Sequence, residues 1–97
     1  MVERSSGQTS RQLAALPDEA LYLVPHRGLA DHCRRVLLAA GRKPTAIKLV
    51  VLEQMGDADR LRGTQRGTPW DIDHAFFSIA STGGRREAEY ARMILDR

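Results

Sequence analysis

The sequence predicts an α/β protein whose small three-stranded, mainly parallel sheet, in the order 2-1-3, is flanked by helices. Two short apolar runs stand on either side of one clear amphipathic segment, and a second amphipathic segment ends the chain. A strand, a helix and a strand within about thirty residues are typical of a parallel βαβ unit. The length of 97 residues allows one hydrophobic core. We therefore expect a Rossmann-like arrangement of βαβ type in a single domain.

The predicted domain spans residues 17–97, and residues 1–16 precede it as an N-terminal arm. Residues 1–12 are polar, rich in Ser, Gly, Gln and Thr, and show no apolar period, which is typical of a flexible segment. Apolar residues just before Pro17 add a short helical turn. The arm is expected to be flexible or weakly helical, either as an idle tail or as a segment that orders on a partner.

The first βαβ unit has the clearest pattern in the chain. Ala20–Val24 is apolar and is stopped by Pro25, as expected for a strand that is buried on both faces. The next segment has apolar residues at helical spacing and ends at Gly41. Its predicted inner face consists of Leu29, Cys33, Val36, Leu37 and Ala40. Ala46–Leu52 is apolar and β-branched, so it forms the second strand.

The second half of the chain supplies one more strand and one more helix. The segment DADRLRG predicts a single helical turn, with Asp57 as its N-cap and Gly63 as its end. Trp70–Phe77 is predicted as the third strand. The last segment forms an amphipathic helix with an inner face of Ala88, Ala91, Ile94 and Leu95 and a cap at Ser81 or Thr82. Because a sheet of so few strands has exposed edges, a protein partner or self-association is expected.

Composition excludes several classes of protein. The net charge of +3 permits nucleic-acid binding but is far from a strong electrostatic footprint. The single Cys33 leaves no disulfide framework and no cysteine-based zinc site. No apolar run approaches the roughly 18–20 residues needed to cross a bilayer. We expect a protein of the bacterial cytoplasm that does not enter the membrane.

Polar side chains follow two of the predicted strands at the edge where ligands bind in open parallel sheets. His26 and Arg27 follow strand one, and Asp73 and His74 end strand three. With strand one in the centre, these side chains become neighbours and form a candidate anion or small-ligand site. A metal bound by Asp73 and His74 is a further alternative. Structural roles are the alternative: solvated loop residues, an aspartate bound to loop amides, and a histidine that begins a helix. Nothing has strict metal spacing, so no metal or other cofactor is predicted.

Catalytic motifs are not found. PHRGLAD offers one glycine, and neither GxGxxG nor GxxxxGK[ST] occurs, so no nucleotide is expected. Cys33 falls on the inner face of its helix and is expected to be a buried hydrophobic residue. No catalytic residue is therefore predicted, although a small hydrolase using Asp71, Asp73 and His74 stays as an alternative.

Arginines gather in two places. A glycine-containing loop and the start of the last helix carry Arg60, Arg62, Arg66, Arg85 and Arg86. These side chains would contact phosphates or the carboxylates of a partner, or they are simply solvated. Because no aromatic residues lie among them, a base-stacking surface is disfavoured. A nucleic-acid-associated module that contacts phosphates is the alternative function.

Three segments carry a family resemblance: LYLVPHRGLADHCRRVL, IKLVVLEQMGDADRLRGTQRG and WDIDHAF. They resemble small uncharacterised proteins of actinobacterial phages, which look like truncated relatives of P-loop or terminase-like α/β folds. In this resemblance WDIDH takes the place of a Walker-B-like strand and PHRGLADH the place of the phosphate loop. Since the lysine and glycines of that loop are missing, the resemblance implies a scaffold without ATPase activity. The first functional hypothesis is a non-catalytic accessory protein that binds a host or phage protein.

Overall fold

A computed structural model describes residues 2–77 and 82–96, with side chains at 8–76 and 85–96. The helices are α1 (Val2–Ala14), α2 (Arg27–Ala39) and α3 (Thr82–Leu95). The strands are β1 (Leu21–Val24), β2 (Lys48–Val51) and β3 (Trp70–Ile72). Two short 3₁₀ helices, η1 (Asp57–Gly63) and η2 (His74–Phe77), lie before and after β3. The predicted caps of the last helix, Ser81 and Thr82, lie outside the described side chains.

The three strands form one parallel sheet in the order β2-β1-β3, which confirms the predicted fold class and strand order. Leu21 at the start of β1 is in register with Lys48 of β2 and with Trp70 of β3. All four residues of β1 are buried, because it is the central strand and both of its faces are covered. β2 and β3 are the two edges of the sheet.

The side chains of β1 alternate between two hydrophobic clusters, one on each face of the sheet. Leu21 and Leu23 belong to a cluster that includes Ala88, Ala91 and Ile94 of α3. Tyr22 and Val24 belong to the other cluster, whose helical members are Leu13 of α1 and Ala30, Cys33 and Leu37 of α2. The sheet is therefore the middle layer of three.

Both ends of α2 are closed by specific hydrogen bonds. At its start the His26 Nδ1 atom accepts the backbone N–H of Leu29 at 3.1 Å. At its end Gly41 has a φ of +79°, which glycine adopts without a steric cost. The amide of Arg42 then donates to the carbonyl of Leu37, and that of Gly41 to the carbonyl of Leu38. These two bonds form a Schellman motif, so the predicted end at Gly41 is confirmed.

The third strand is shorter than predicted, because β3 ends at Ile72. Asp73 turns the chain: its Oδ1 atom accepts the amide of Ala75 at 2.8 Å, and its carbonyl accepts the amide of Phe76. This side-chain bond competes with strand pairing and begins the helical turn. The prediction that a strand continues to Phe77 was therefore wrong.

Asp57 has a role different from the predicted N-cap of the following turn. Gly56, with φ +90°, precedes η1 as its cap residue. The Asp57 carboxylate instead points back along the chain, where Oδ2 accepts the amides of Glu53 (2.8 Å) and Gln54 (2.7 Å). These amide bonds are the largest cause of a lowered pKa at Asp57. The side chain therefore stabilises the loop after β2.

In the segment that was expected to be a flexible or weakly helical arm, residues 2–14 form an α-helix. Thr9 and Leu13 of this helix are buried. Its C-terminal end is bound by Arg42, whose guanidinium donates to the carbonyls of Leu13 and Leu16, each at 3.1 Å. The same guanidinium contacts Asp18 at 2.6 Å. A cation suits the negative end of a helix, so Arg42 fixes α1 to the end of α2.

Replacing this guanidinium tests how α1 is held. We expect Arg42→Met to lower the free energy of unfolding by about 1–2 kcal/mol, since the charged hydrogen bonds to the carbonyls of Leu13 and Leu16 are lost. Arg35→Met, at an exposed position of α2, is the control and should change stability by less than about 0.5 kcal/mol. Urea unfolding followed by circular dichroism measures both. Equal stabilities of the two variants would contradict this role.

Candidate functional site

The centre of the predicted polar cluster is Asp73, whose side chain is completely buried. Its Oδ2 atom accepts the hydroxyl of Tyr22 at 2.5 Å and that of Thr9 at 3.0 Å. Its Oδ1 atom accepts the Ala75 amide. Neutral donors thus compensate the carboxylate for the loss of water. Both oxygens are occupied by the chain itself.

Gln12 of α1 extends the same network along the edge of β3. Its Nε2 atom donates to the carbonyl of Ile72 at 2.8 Å and to the Asp71 carboxylate at 3.0 Å. Its Oε1 atom accepts the His74 amide at 3.2 Å and lies 3.1 Å from the Tyr22 hydroxyl. One glutamine therefore satisfies backbone groups on both sides of the turn that ends β3.

His74 begins η2, as the structural alternative from the sequence proposed. Its Nε2 atom lies 3.3 Å from the Thr9 hydroxyl oxygen and 3.9 Å from Asp73 Oδ1. Because the Thr9 proton is directed at Asp73, the histidine must donate from Nε2 to complete the contact. Thr9 is itself buried, so this Thr–His–Asp arrangement presents no accessible nucleophile. The described residues contain no cluster of three or more His, Cys, Asp or Glu that could hold a metal.

The other two residues of the predicted site have separate roles. His26 caps α2, and a Cβ added at Gly28 would lie only 3.2 Å from its Nδ1 atom. Glycine therefore leaves room for the capping imidazole. Arg27, the first residue of α2, lines a groove on the β2 side of the sheet, whereas Asp73 and His74 are bound to α1 beside β3.

Two of the five candidate phosphate-binding arginines bond strongly within the chain. Arg60 donates to the carbonyl of Val51 at 2.8 Å and lies 3.6 Å from the Asp57 carboxylate. Arg62 pairs with Asp59 at 3.0 Å, bonds the Tyr90 hydroxyl, and lies 5.5 Å from the centre of the Tyr90 ring. These contacts join η1 to its neighbours. All five side chains are exposed, including those of Arg66, Arg85 and Arg86.

Cys33 is fully buried on α2, as the sequence predicted. Burial, with a smaller effect from the negative charge of Asp73, raises the pKa of the thiol from 9.0 to about 12. Since the thiolate is the nucleophilic form, this cysteine is unreactive at neutral pH.

A groove of about 710 Å³ runs along the outer edge of β2. All four strand residues, Lys48–Val51, form its floor. One wall is the exposed side of α2, with Arg27, Asp31 and Arg34. The other is η1 and the loop before it, including Asp57 and Arg60. The groove therefore gives access to the backbone of an edge strand.

The backbone groups along this edge follow from the register. Lys48 and Leu52 donate their amides to the carbonyls of Ala20 and Val24 beside them. Because strand residues alternate, Leu49 and Val51 direct their backbone groups outwards. Arg60 occupies the Val51 carbonyl. Within the described part of the chain, the N–H and C=O of Leu49 and the N–H of Val51 have no hydrogen-bond partner.

The opposite edge of the sheet is covered at the end of β3. Ile72 is the outward-facing residue at the end of β3, because Asp73 after it donates its amide to Leu23 of β1. The N–H of Ile72 donates to Asp71 Oδ1 at 2.8 Å. Its C=O is bound by Gln12. The two edges therefore differ: side chains cover the end of β3, whereas the middle of β2 is free.

Comparisons with protein-family models, curated proteins and solved structures return no match to this chain. The resemblance to actinobacteriophage proteins stays a prediction from the quoted segments. None of the helices in the described ranges is long and apolar enough to cross a membrane.

Sequence reasoning missed the partners of Asp73 and the groove at β2. Thr9, Gln12 and Leu13 have the i, i+3, i+4 spacing of one helix face, and this pattern within a polar segment was the available signal. Tyr22 was a second signal, because a buried tyrosine needs a partner for its hydroxyl. The small number of strands predicted that the sheet has exposed edges. It did not predict which of the two edges has unpaired backbone groups.

Proposed function

We propose that this protein is a non-catalytic binding protein that recognises an extended segment of a protein partner along the free edge of β2. The observation that supports this is the unpaired N–H and C=O of Leu49 and the unpaired N–H of Val51 at the floor of an open groove. An added strand supplies the missing partners for these groups, as in other cases of β-strand addition. Exposed strand edges otherwise promote unspecific association.

The chemistry of the polar cluster supports a binding role over catalysis. Asp73 and Thr9 are buried, and the chain itself satisfies their polar atoms. The raised pKa of Cys33 keeps its thiol protonated at neutral pH. A general base or nucleophile must reach a substrate, and these groups face one another inside the domain.

Proline at residue 51 tests the proposal. The Val51 N–H points away from β1, at the outer edge of the sheet, so Val51→Pro breaks no internal hydrogen bond. Proline is accepted at such edge positions. It does remove a donor and places its ring where a partner strand would approach. We expect tagged wild-type protein to retain a partner from a lysate of its source cells, and Val51→Pro to lose at least about 90% of it.

Val51→Thr is the matched control, since it keeps both the amide and the β-branched side chain. It should retain the partner as the wild type does. Circular dichroism must show that both variants are folded. Equal retention by the Val51→Pro variant would contradict the proposed edge, and contacts elsewhere on the protein would then be responsible.

A further inference from the structure

We infer that the β2 groove takes an extended peptide segment with acidic side chains, one of which pairs with Lys48. This inference rests on the proposed function and specifies the chemistry of its partner. It follows from the charged groups that line the groove and from which of them are already paired. The groove is lined by four basic residues, Arg27, Arg34, Lys48 and Arg60, and by three acidic ones, Asp31, Glu53 and Asp57.

Most of the acidic groups are engaged within the chain. Asp31 pairs with Arg34 at 2.7 Å. Asp57 accepts two loop amides and lies near Arg60. Among the described contacts, the side chains of Arg27 and Lys48 have no ion-pair or hydrogen-bond partner. The excess charge that the groove offers to a ligand is therefore positive.

The preference for acidic side chains depends on where Lys48 lies in the groove. Lys48 begins β2, whereas Glu53, the acidic lining residue without an ion pair, follows the other end of the strand. A partner strand beside Leu49 places its side chains within reach of Lys48, since cross-strand neighbours are about 5 Å apart. An aspartate or glutamate there gains an attractive partner, and a lysine would be repelled.

The same charges disfavour a second copy of this chain as the occupant. Pairing two β2 edges brings together two grooves that each have an excess of positive charge, from the unpaired side chains of Lys48 and Arg27. Like charges across a strand pair are destabilising, and lysine on an edge strand is a common means of preventing such pairing. A different chain of opposite charge fits the groove better.

An exposed methionine lies beside one end of the β2 groove and adds apolar surface there. Met55 is 95% exposed and directly follows Gln54, which lines the end of the groove. Methionine adapts its shape to a variety of apolar partners. A partner segment that continues past Val51 would cover it, so an apolar residue beyond the acidic part is accommodated.

Two labelled peptides test the inference by fluorescence polarisation with the full chain. One has eight residues of alternating Thr and Glu, and the other has Lys in place of Glu. We expect the Glu peptide to bind about tenfold more tightly at low salt. Lys48→Glu should reverse this order, and Val51→Pro should abolish binding of both peptides. Lys43→Glu, at an exposed position outside the groove, is the control and should leave the order unchanged.

Several results would overturn the inference. One is equal or tighter binding of the Lys peptide. Another is equal effects of Lys48→Glu and Lys43→Glu, and a third is binding that Val51→Pro does not change. Failure of both peptides to bind would also overturn it, as would a dimer in sedimentation velocity that Val51→Pro dissociates. If the cellular partner is still lost with Val51→Pro, the proposed edge stands and only the acidic preference fails.

Discussion

Asp73→Ala is expected to lower the free energy of unfolding by about 3–5 kcal/mol, a large share of the roughly 5–15 kcal/mol typical of a small domain. The substitution leaves the hydroxyls of Tyr22 and Thr9 and the amide of Ala75 without their buried acceptor. It also removes the bond that turns the chain after β3. Urea unfolding followed by circular dichroism gives the value.

Two further variants make this test specific. Asp73→Asn keeps one acceptor oxygen for the Ala75 amide, so we expect a smaller loss of about 1–2 kcal/mol. Asp31→Ala removes a carboxylate whose side chain is 55% exposed, and its effect should be below about 0.5 kcal/mol. If Asp73→Ala were no more destabilising than Asp31→Ala, the network would have no structural importance.

The second large effect is a loss of stability at alkaline pH. Burial raises the pKa of Cys33 from 9.0 to about 12. Burial, followed by the hydrogen bond to Asp73, also raises the pKa of Tyr22 above its ordinary value of 10.0. Both groups keep their protons when folded and release them when unfolded. Stability is therefore complete below pH 9 and falls as the pH rises, by about 1.4 kcal/mol per pH unit for each group.

Cys33→Ala isolates one of these contributions. Between pH 8 and pH 11, the free energy of unfolding should fall by roughly 2.5 kcal/mol less in this variant than in the wild type. Any cavity that the substitution creates lowers stability at both pH values and cancels from the comparison. Urea titrations in the presence of a reductant provide the measurement. Parallel losses in the two proteins would show that the thiol titrates alike in the folded and unfolded chains.

The parts of the fold that the sequence predicts correctly are those with a local hydrophobic period. β1 is a short apolar run that ends at Pro25, and α2 has one apolar face and Gly41 at its end. Such patterns indicate strand and helix without knowledge of distant contacts. The predicted strand order, 2-1-3, placed the two strands of the βαβ unit side by side and the third strand on the other side of β1, as the structure has them.

The parts that were predicted incorrectly depend on contacts between distant residues. Thr9 of α1 bonds Asp73, which is 64 positions away, and Arg42 binds the α1 carbonyl of Leu13 from 29 positions away. A polar segment gives no apolar period from which such contacts could be inferred. The end of β3 was similarly hidden, because Phe76 continues the apolar pattern although Asp73 has turned the chain.

The structure separates the residues of the candidate site: Asp73 and His74 contact α1, whereas Arg27 lines the groove beside β2. At the end of β3, Gln12 of α1 binds the Asp71 carboxylate and the Ile72 carbonyl. The exposed edge was expected in general terms. The sequence does not show that this edge is β2, because Gln12 and Asp71 cover the end of β3 only once the chain is folded.

Hydrogen exchange at single amides tests the free β2 edge most directly. In the isolated protein the amides of Leu49 and Val51 should exchange fast, while those of Lys48 and Val50, which face β1, should be protected. Adding the partner that Val51→Pro loses should slow Leu49 and Val51 by at least about tenfold and leave Lys48 and Val50 unchanged. Fast exchange of Leu49 and Val51 in the bound complex would contradict recognition along β2.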